Sequence, residues 1–315
     1  MSASPFVYET AFGRNLGLIT ESEQAKLAAL RVGLPGLGGV GGAHLQALAR
    51  LGVGAFSLAD PDAFEVANFN RQLGASLQTL GRGKADVAVE TAQGINPEAD
   101  VRVFRECVTA ANAAEFLDGV DVVVDGIEFF HMDDRRALYA ACRARGIPVV
   151  NAGPVGYGAA VLVFTPDGPS FDRYFGLSDE MTKAEKLIAF GLGLAPGFGG
   201  GVDPRYVDLE RSRGPALAPS CMLCAAAAGM EVLKLVTGRG RLASPGRGYY
   251  LDPLHGRTLP LRARPALRGT LRGRFLRWAA FRHFPAFRDL HERELAGRAR
   301  ASSAAVRENA ACARP

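Results

Sequence analysis

Residues 32–45 read VGLPGLGGVGGAHL: a short apolar run, six glycines counted from Gly33, and the start of a helical pattern. Glycine carries no Cβ, so a loop this bare lets a ligand come close to the backbone. Gly36, Gly38 and Gly41 stand in G-x-G-x-x-G spacing, after a predicted strand and before a predicted helix. That is the context a nucleotide-binding fingerprint needs. The helix start adds unpaired N–H groups and positive potential for a phosphate. Asp60 ends the next predicted strand, where a ribose-binding acid belongs. This much suits NAD, FAD and ATP equally.

The following stretch separates them. DPDAFEVANFNRQ (60–72) and GRGKADVAVETAQGINP (81–97) supply Arg71 and Lys84 together with the amides of Asn68 and Gln72. Arginine offers a flat bidentate fork and lysine a point charge. A dinucleotide needs little beyond a helix terminus, whereas this set matches the four charges of a triphosphate. Both cations are expected to face the surface at strand ends.

Around the loop, the runs AFSLAD, VRVF, VDVVVDG, IPVVNAG and AAVLVF are short and apolar and are bounded by Gly, Pro or Asp, as buried strands are. Helical patterns at 43–51, 84–93, 110–117 and 133–145 lie among them. The alternation predicts an α/β fold, a doubly wound and mostly parallel sheet of Rossmann type, with later strands free to run antiparallel. Residues 165–219 are a Gly/Pro-rich crossover excursion holding one helix near 182–192, and a long excursion of this kind is usually functional or mobile. A helix closed by Gly238 follows, then a last strand in GYYLDPL. The reading divides the chain into an ATP-binding domain over 1–260 and a basic, aromatic-containing tail over 261–315.

A composition of 48% hydrophobic and 22% charged residues excludes disordered and fibrous classes. Five scattered cysteines do not make a disulfide framework. No apolar run is read as approaching membrane-spanning length, and the first ten residues do not resemble a signal peptide, so a cytoplasmic protein is expected. The net charge of +5 conceals a division. After residue 260 there are 13 arginines against four acids, leaving 24 basic and 28 acidic residues before it.

The ordered motifs resemble the adenylyltransferases related to ubiquitin-activating enzymes, in the branch of ThiF, MoeB and HesA. The resemblance runs from about Phe12 to Asp252. It rests on Arg14 in FGRNLG, on Gly36, Gly38, Gly39 and Gly41, and on Asp60 and Asp62. Asn68, Arg71 and Gln72 follow, then Gly81 and Lys84 before a helix, and Asn96–Pro97. The resemblance implies that Asp60 holds the ATP ribose and that Asn68, Arg71 and Lys84 hold the phosphates. It also implies that Arg14 reaches the γ-phosphate of a neighbouring subunit in a homodimer. The implied reaction is attack of a C-terminal carboxylate, typically that of a small carrier protein ending Gly-Gly, on the α-phosphate. A same-fold alternative activates a small-molecule or tRNA-borne carboxylate, as dehydratases of the family do. A third is a nucleotide-binding partner or NAD-dependent enzyme.

Departures from the family pattern set further expectations. The family places an Asp on magnesium in D-x-x-D-N, and here Asp125 is followed three residues on by Glu128. Glu128 is the expected metal residue and Asp125 the second candidate, with Asp133 and Asp134 assigned to the first turn of the next helix. Pro35 is expected to end the first strand. Cys221 and Cys224 form one C-x-x-C without a second pair, and even with His255 a fourth ligand is wanting, so zinc is not expected. Cys221, at a helix start that would depress its pKa, is the candidate for a thioester nucleophile. In the tail, Phe275, Trp278, Phe281, Phe284 and Phe287 recur every three residues among arginines. That stripe either packs on the domain or meets an acidic partner, a membrane surface or RNA, with a break expected at Pro285.

Overall fold

Strands form where β-branched residues can be buried on both faces, and the centre of this sheet shows the pattern. In the computed structural model, which describes residues 6–195, 201–261 and 271–312, β4 is Val122–Val124. Val122 and Val124 enter one apolar cluster and Val123 the cluster on the opposite side. The same division splits Ala159, Val161 and Val163 from Ala160, Leu162 and Phe164 in β6 (Gly158–Phe164). These strands therefore read as continuous apolar runs.

The other strands are β1 (Arg31–Pro35), β2 (Ala55–Ala59), β3 (Asp100–Phe104), β5 (Val149–Val155), β7 (Tyr249–Asp252) and β8 (Arg257–Pro260). The eight form one sheet in the order β3-β2-β1-β4-β5-β6-β7-β8. The first five are mutually parallel and the last three pair antiparallel. The doubly wound, mostly parallel reading holds. The last strand foreseen in GYYLDPL is the first arm of a hairpin whose second arm, β8, was not foreseen. β1 includes Pro35 as its final residue, and the ladder continues through the Gly36 N–H, 2.7 Å from the Ala59 carbonyl oxygen.

Helices α2 (Glu21–Ala29), α3 (Gly39–Leu51), α4 (Lys84–Ile95) and α9 (Ala218–Thr237) contribute to one cluster. α5 (Ala113–Phe116), α6 (Met132–Ala144), α7 (Phe171–Phe175) and α8 (Lys183–Leu194) contribute to the other. A short α1 (Tyr8–Phe12) precedes them. α9 corrects one sequence reading, because it is long and apolar enough to cross a membrane. Its apolarity has another cause: it packs between α3 and strands β5 and β6, burying Cys224, Ala228 and Val232. Gly238 closes it with φ +69°.

The excursion is packed over residues 171–195. Phe171, Tyr174, Phe175 and Phe190 form an aromatic cluster with Tyr139 and Phe164, ring centroids 4.3–6.2 Å apart. The tail adds α10 (Leu271–His283) and α11 (Pro285–Cys312), broken at Pro285 as expected. Both helices lie on α8. Phe287 is buried there, with Phe281 and Phe284 partly buried beside it. Arg277 pairs with Glu185 at 2.7 Å, Thr182 and His291 share a 2.9 Å hydrogen bond, and the Lys183 N–H donates to Glu294. Part of the basic tail thus finds its acidic partner in its own domain. Phe275 and Trp278 stay outside, 59% and 56% exposed.

Candidate functional site

Strand order reverses between β1 and β4, and in open α/β sheets that is where a crevice opens beyond the carboxyl ends of the strands. The loop after β1 and the loop after β4 meet there without side chains between them. A Cβ on Gly41 would collide with the Gly36 carbonyl, and one on Gly36, at φ +91°, with the Gly126 carbonyl. The three glycines are required by close backbone approach, and Gly126 went unrecognised because its partners lie 85 and more residues away. Gly38 caps α3 with no side chain of its own, which leaves the helix N-terminus bare for a ligand. Gly39 lies under the Arg71 side chain and the Cys221 thiol, and Gly38 under the Gln72 amide.

Asp60 follows β2 and is buried. Its Oδ2 accepts the Leu37 N–H at 2.7 Å and its Oδ1 the Asp62 N–H at 2.9 Å. Burial pushes its carboxyl above the usual range, and the nearby Lys84 ammonium opposes that. Lys84 is the first residue of α4 and is only 6% exposed. Its Nζ bonds Asp62 Oδ2 at 2.8 Å. The expectation of a surface lysine at a strand end is therefore corrected: the start of α4 folds under the Asp62 carbonyl, which accepts the Lys84 N–H at 2.8 Å, and draws the side chain inward. Arg71 is half-buried, and its Nη1 donates to the Ala67 carbonyl and to Asn70 Oδ1, both at 3.0 Å. Asn68 accepts the Glu65 N–H at 2.9 Å. Gln72 is buried with its Oε1 unpartnered.

Glu128 stands in the loop after β4. Its side chain reaches solvent, yet protein crowds it from the other sides. That desolvation raises its pKa, opposed by His131, Lys84 and Arg71 and reinforced by Asp62. Glu128, Lys84, Asp62 and Arg71 thus share one electrostatic neighbourhood. Asp125 does not serve as a second metal candidate. Its Oδ1 accepts the Ile127 N–H at 2.9 Å, and its Oδ2 accepts Arg135 Nε (2.9 Å), the Tyr139 hydroxyl (2.7 Å) and Asn151 Nδ2 (2.9 Å). Four donors saturate the carboxylate, so it organises the core instead. Arg135, Tyr139 and Asn151 gave no sequence signal, since each reads as an ordinary helix or strand residue. Among the described residues no cluster of three or more His, Cys, Asp or Glu could hold a metal. A lone carboxylate still fits magnesium, which is usually held by one or two carboxylates plus substrate phosphates.

Cys221 is 2% exposed, and burial raises its thiol pKa against the pull of Arg71. This corrects the expected depression: the helix terminus acts on a thiol that has already been taken out of water. Cys224 is buried and raised still further. The His255 ring is bonded to Asp252. Arg14 does not join the crevice of its own chain. The adjacent Asn15 bonds the Leu51 carbonyl at the far end of α3, a helix of 13 residues and so about 20 Å long. A separate apolar groove of about 430 Å³, lined by Leu223, Ala227, Met230, Tyr249 and Leu251 among others, has no cation to meet a phosphate.

Known proteins resemble this chain in sequence and in fold. The ThiF family matches residues 12–268. A tRNA threonylcarbamoyladenosine dehydratase of Haemophilus influenzae is 35% identical over 150 residues, which is 47% of this chain and 57% of that one. A SAMP-activating enzyme E1 of Haloferax volcanii is 33% identical over 175 residues, 55% of this chain and 64% of the relative. These matches span less than two thirds of the length of either relative. A crystal structure of the E. coli tRNA N6-threonylcarbamoyladenosine dehydratase in complex with ATP superposes with TM-score 0.55 at 26% identity, covering 73% of this chain and 95% of that one. The Gly36–Gly41 loop, the Asp60 carboxylate and the cations behind it therefore sit in a protein that belongs to the ThiF family.

Proposed function

We propose that the chain uses ATP to activate a carboxylate as an acyl-adenylate. The observation that carries this reading is a bare glycine loop at the sheet's switch point with the Arg71 side chain packed on Gly39, Lys84 beside Asp60, and Glu128 in the electrostatic neighbourhood of both cations. Asp60 accepts the ribose hydroxyls on lone pairs not used by Leu37 and Asp62. The α3 N-terminus, Arg71, Asn68 and Gln72 cradle the phosphates, and the Gln72 amide, turned so that its Nε2 donates, meets them in place of the now unpartnered Oε1. Glu128 would hold magnesium, which when bound supplies a Lewis acid that neutralises phosphate charge. A carboxylate oxygen of the acceptor attacks the α-phosphorus, the bond to the bridging oxygen breaks, and pyrophosphate leaves. No strong base is needed, because positioning and charge neutralisation dominate such transfers. Arg14, exposed and remote from its own crevice, would complete the site of a second copy.

The acceptor is read first as the C-terminal carboxylate of a small carrier protein. A tRNA-borne carboxylate is the second reading. It is favoured by the exposed Phe275 and Trp278, with Arg282 lying 5.7 Å over the Trp278 ring. It is favoured also by the dehydratases among the relatives. Calorimetry with ATP–Mg²⁺ and with NAD tests the nucleotide assignment. ATP should bind and lose at least tenfold in affinity in Arg71→Ala, and tighter binding of NAD would overturn the reading.

A further inference from the structure

Arg135 stands at the start of α6 and is 3% exposed. Its Nε bonds Asp125 at 2.9 Å, Nη2 donates to the Ile127 carbonyl, and Nη1 reaches the Phe129 carbonyl at 3.5 Å. Those two carbonyls flank Glu128 on either side. The guanidinium carbon also lies 4.8 Å over the ring of Phe190, on α8 of the excursion. Phe190 in turn packs against Phe129, with centroids 5.4 Å apart. The segment between β4 and α6 has no ladder to hold it, and a rigid planar fork is the side chain suited to grip two carbonyls at once.

We propose that Arg135 is a positioning residue for Glu128. Its guanidinium pins the 127–128 peptide before Glu128 and the 129–130 peptide beyond it, so that the carboxylate stays in the neighbourhood of Arg71 and Lys84. Asp125 anchors the near edge of the fork and Phe190 covers its face, which makes α8 part of the same support. Pinning in advance removes an ordering cost that ligand binding would otherwise bear. The inference rests on the role proposed above for Glu128, and the test below separates the two.

Two variants address it. Arg135→Lys keeps a cation beside Asp125 but has no fork, and Phe190→Leu keeps the arginine and removes the covering ring. Hydrogen exchange of the backbone amides of residues 126–131, read by mass spectrometry, reports the loop directly. Calorimetry with ATP, with and without Mg²⁺, reports the site. Both variants should exchange these amides at least tenfold faster. The magnesium-dependent part of ATP affinity should fall about tenfold, and the magnesium-independent part should stay within about twofold. Unchanged protection in both variants would overturn the proposal. So would faster exchange with an unaltered magnesium dependence, provided that Glu128→Gln lowers that dependence. If Glu128→Gln leaves it unaltered, the reading of Glu128 fails, and hydrogen exchange alone then decides whether Arg135 holds the loop.

Discussion

The Lys84 ammonium lies 2.8 Å from Asp62 Oδ2 and 4.0 Å from Asp60 Oδ1, buried between the two acids at the head of α4. It therefore neutralises a buried carboxylate besides the ligand role proposed for it. Lys84→Met should lose ATP affinity and also destabilise the fold by roughly 1–3 kcal/mol, because the buried Asp60 is left without its cation. Asp62 is mostly exposed, so Asp62→Asn should cost less than about 1 kcal/mol. Thermal melts of the two variants check this ordering. A Lys84→Met protein as stable as the parent would show that the lysine serves the ligand alone.

Cys221 should not carry a covalent intermediate. A thiol 2% exposed and held above its ordinary pKa is a poor nucleophile at neutral pH. In the native protein iodoacetamide should modify the exposed Cys107 first and leave Cys221 and Cys224 at least tenfold slower. Cys221→Ala should keep adenylation within about threefold. Rapid labelling of Cys221, or a thioester trapped on it, would contradict the burial argument.

His44, on α3, is fully buried, and its ring lies beside the Ala152 backbone without a hydrogen bond of good geometry. Burial lowers its pKa from 6.5 to about 4, opposed by Asp125 and the Ala152 backbone. As pH falls below 6.5 the unfolded chain takes up a proton that the folded chain refuses until about 4. Stability should therefore drop across that window and level off below it, by on the order of 3 kcal/mol at most. Denaturant midpoints of the parent and of His44→Leu between pH 7.5 and 4 test this. The parent should lose more stability than the variant, and parallel curves would show that His44 does not titrate differently on folding.

Trp278 is the single tryptophan of the chain, so its fluorescence reports on the outer face of α10. If the tail carries RNA, unmodified tRNA should quench it, salt should weaken the effect steeply, and Phe275→Ala should reduce the affinity several-fold. Absence of quenching by tRNA at low salt would remove the second reading of the acceptor and leave ATP chemistry untouched.

The glycine loop, the order of Asp60, Asn68, Arg71 and Lys84, and the alternation of strands and helices were legible because each is local: a turn without Cβ, an acid at a strand end, an apolar period. What stayed hidden depends on distant partners. Gly126 matters only because Gly36 and Gly41 press against it, and Asp125 looked free until Arg135, Tyr139 and Asn151 closed on it. Lys84 looked exposed because charge predicts exposure unless a buried acid draws it in. α9 was not counted as a run of membrane-spanning length, yet its alanine-rich, core-facing composition makes it one. Whether the tail packs on the domain stayed open because its partners, Thr182 to Glu185 at the start of α8, lie about a hundred residues earlier.

Cleavage of ATP between its α- and β-phosphates, coupled to activation of a carboxylate, is the reaction proposed for this crevice. The most direct measurement follows α-³²P ATP with Mg²⁺ by chromatography, with pyrophosphate read by a coupled assay, in the presence of a carrier protein ending Gly-Gly or of bulk tRNA. Label should appear as acyl-adenylate and free AMP together in an amount equal to the pyrophosphate formed, dependent on one of these acceptors. Arg71→Ala and Glu128→Gln should each lose on the order of a hundredfold, the size expected when a main electrostatic contribution is removed. Formation of ADP and phosphate instead, or acceptor-dependent AMP release that both variants retain, would contradict it.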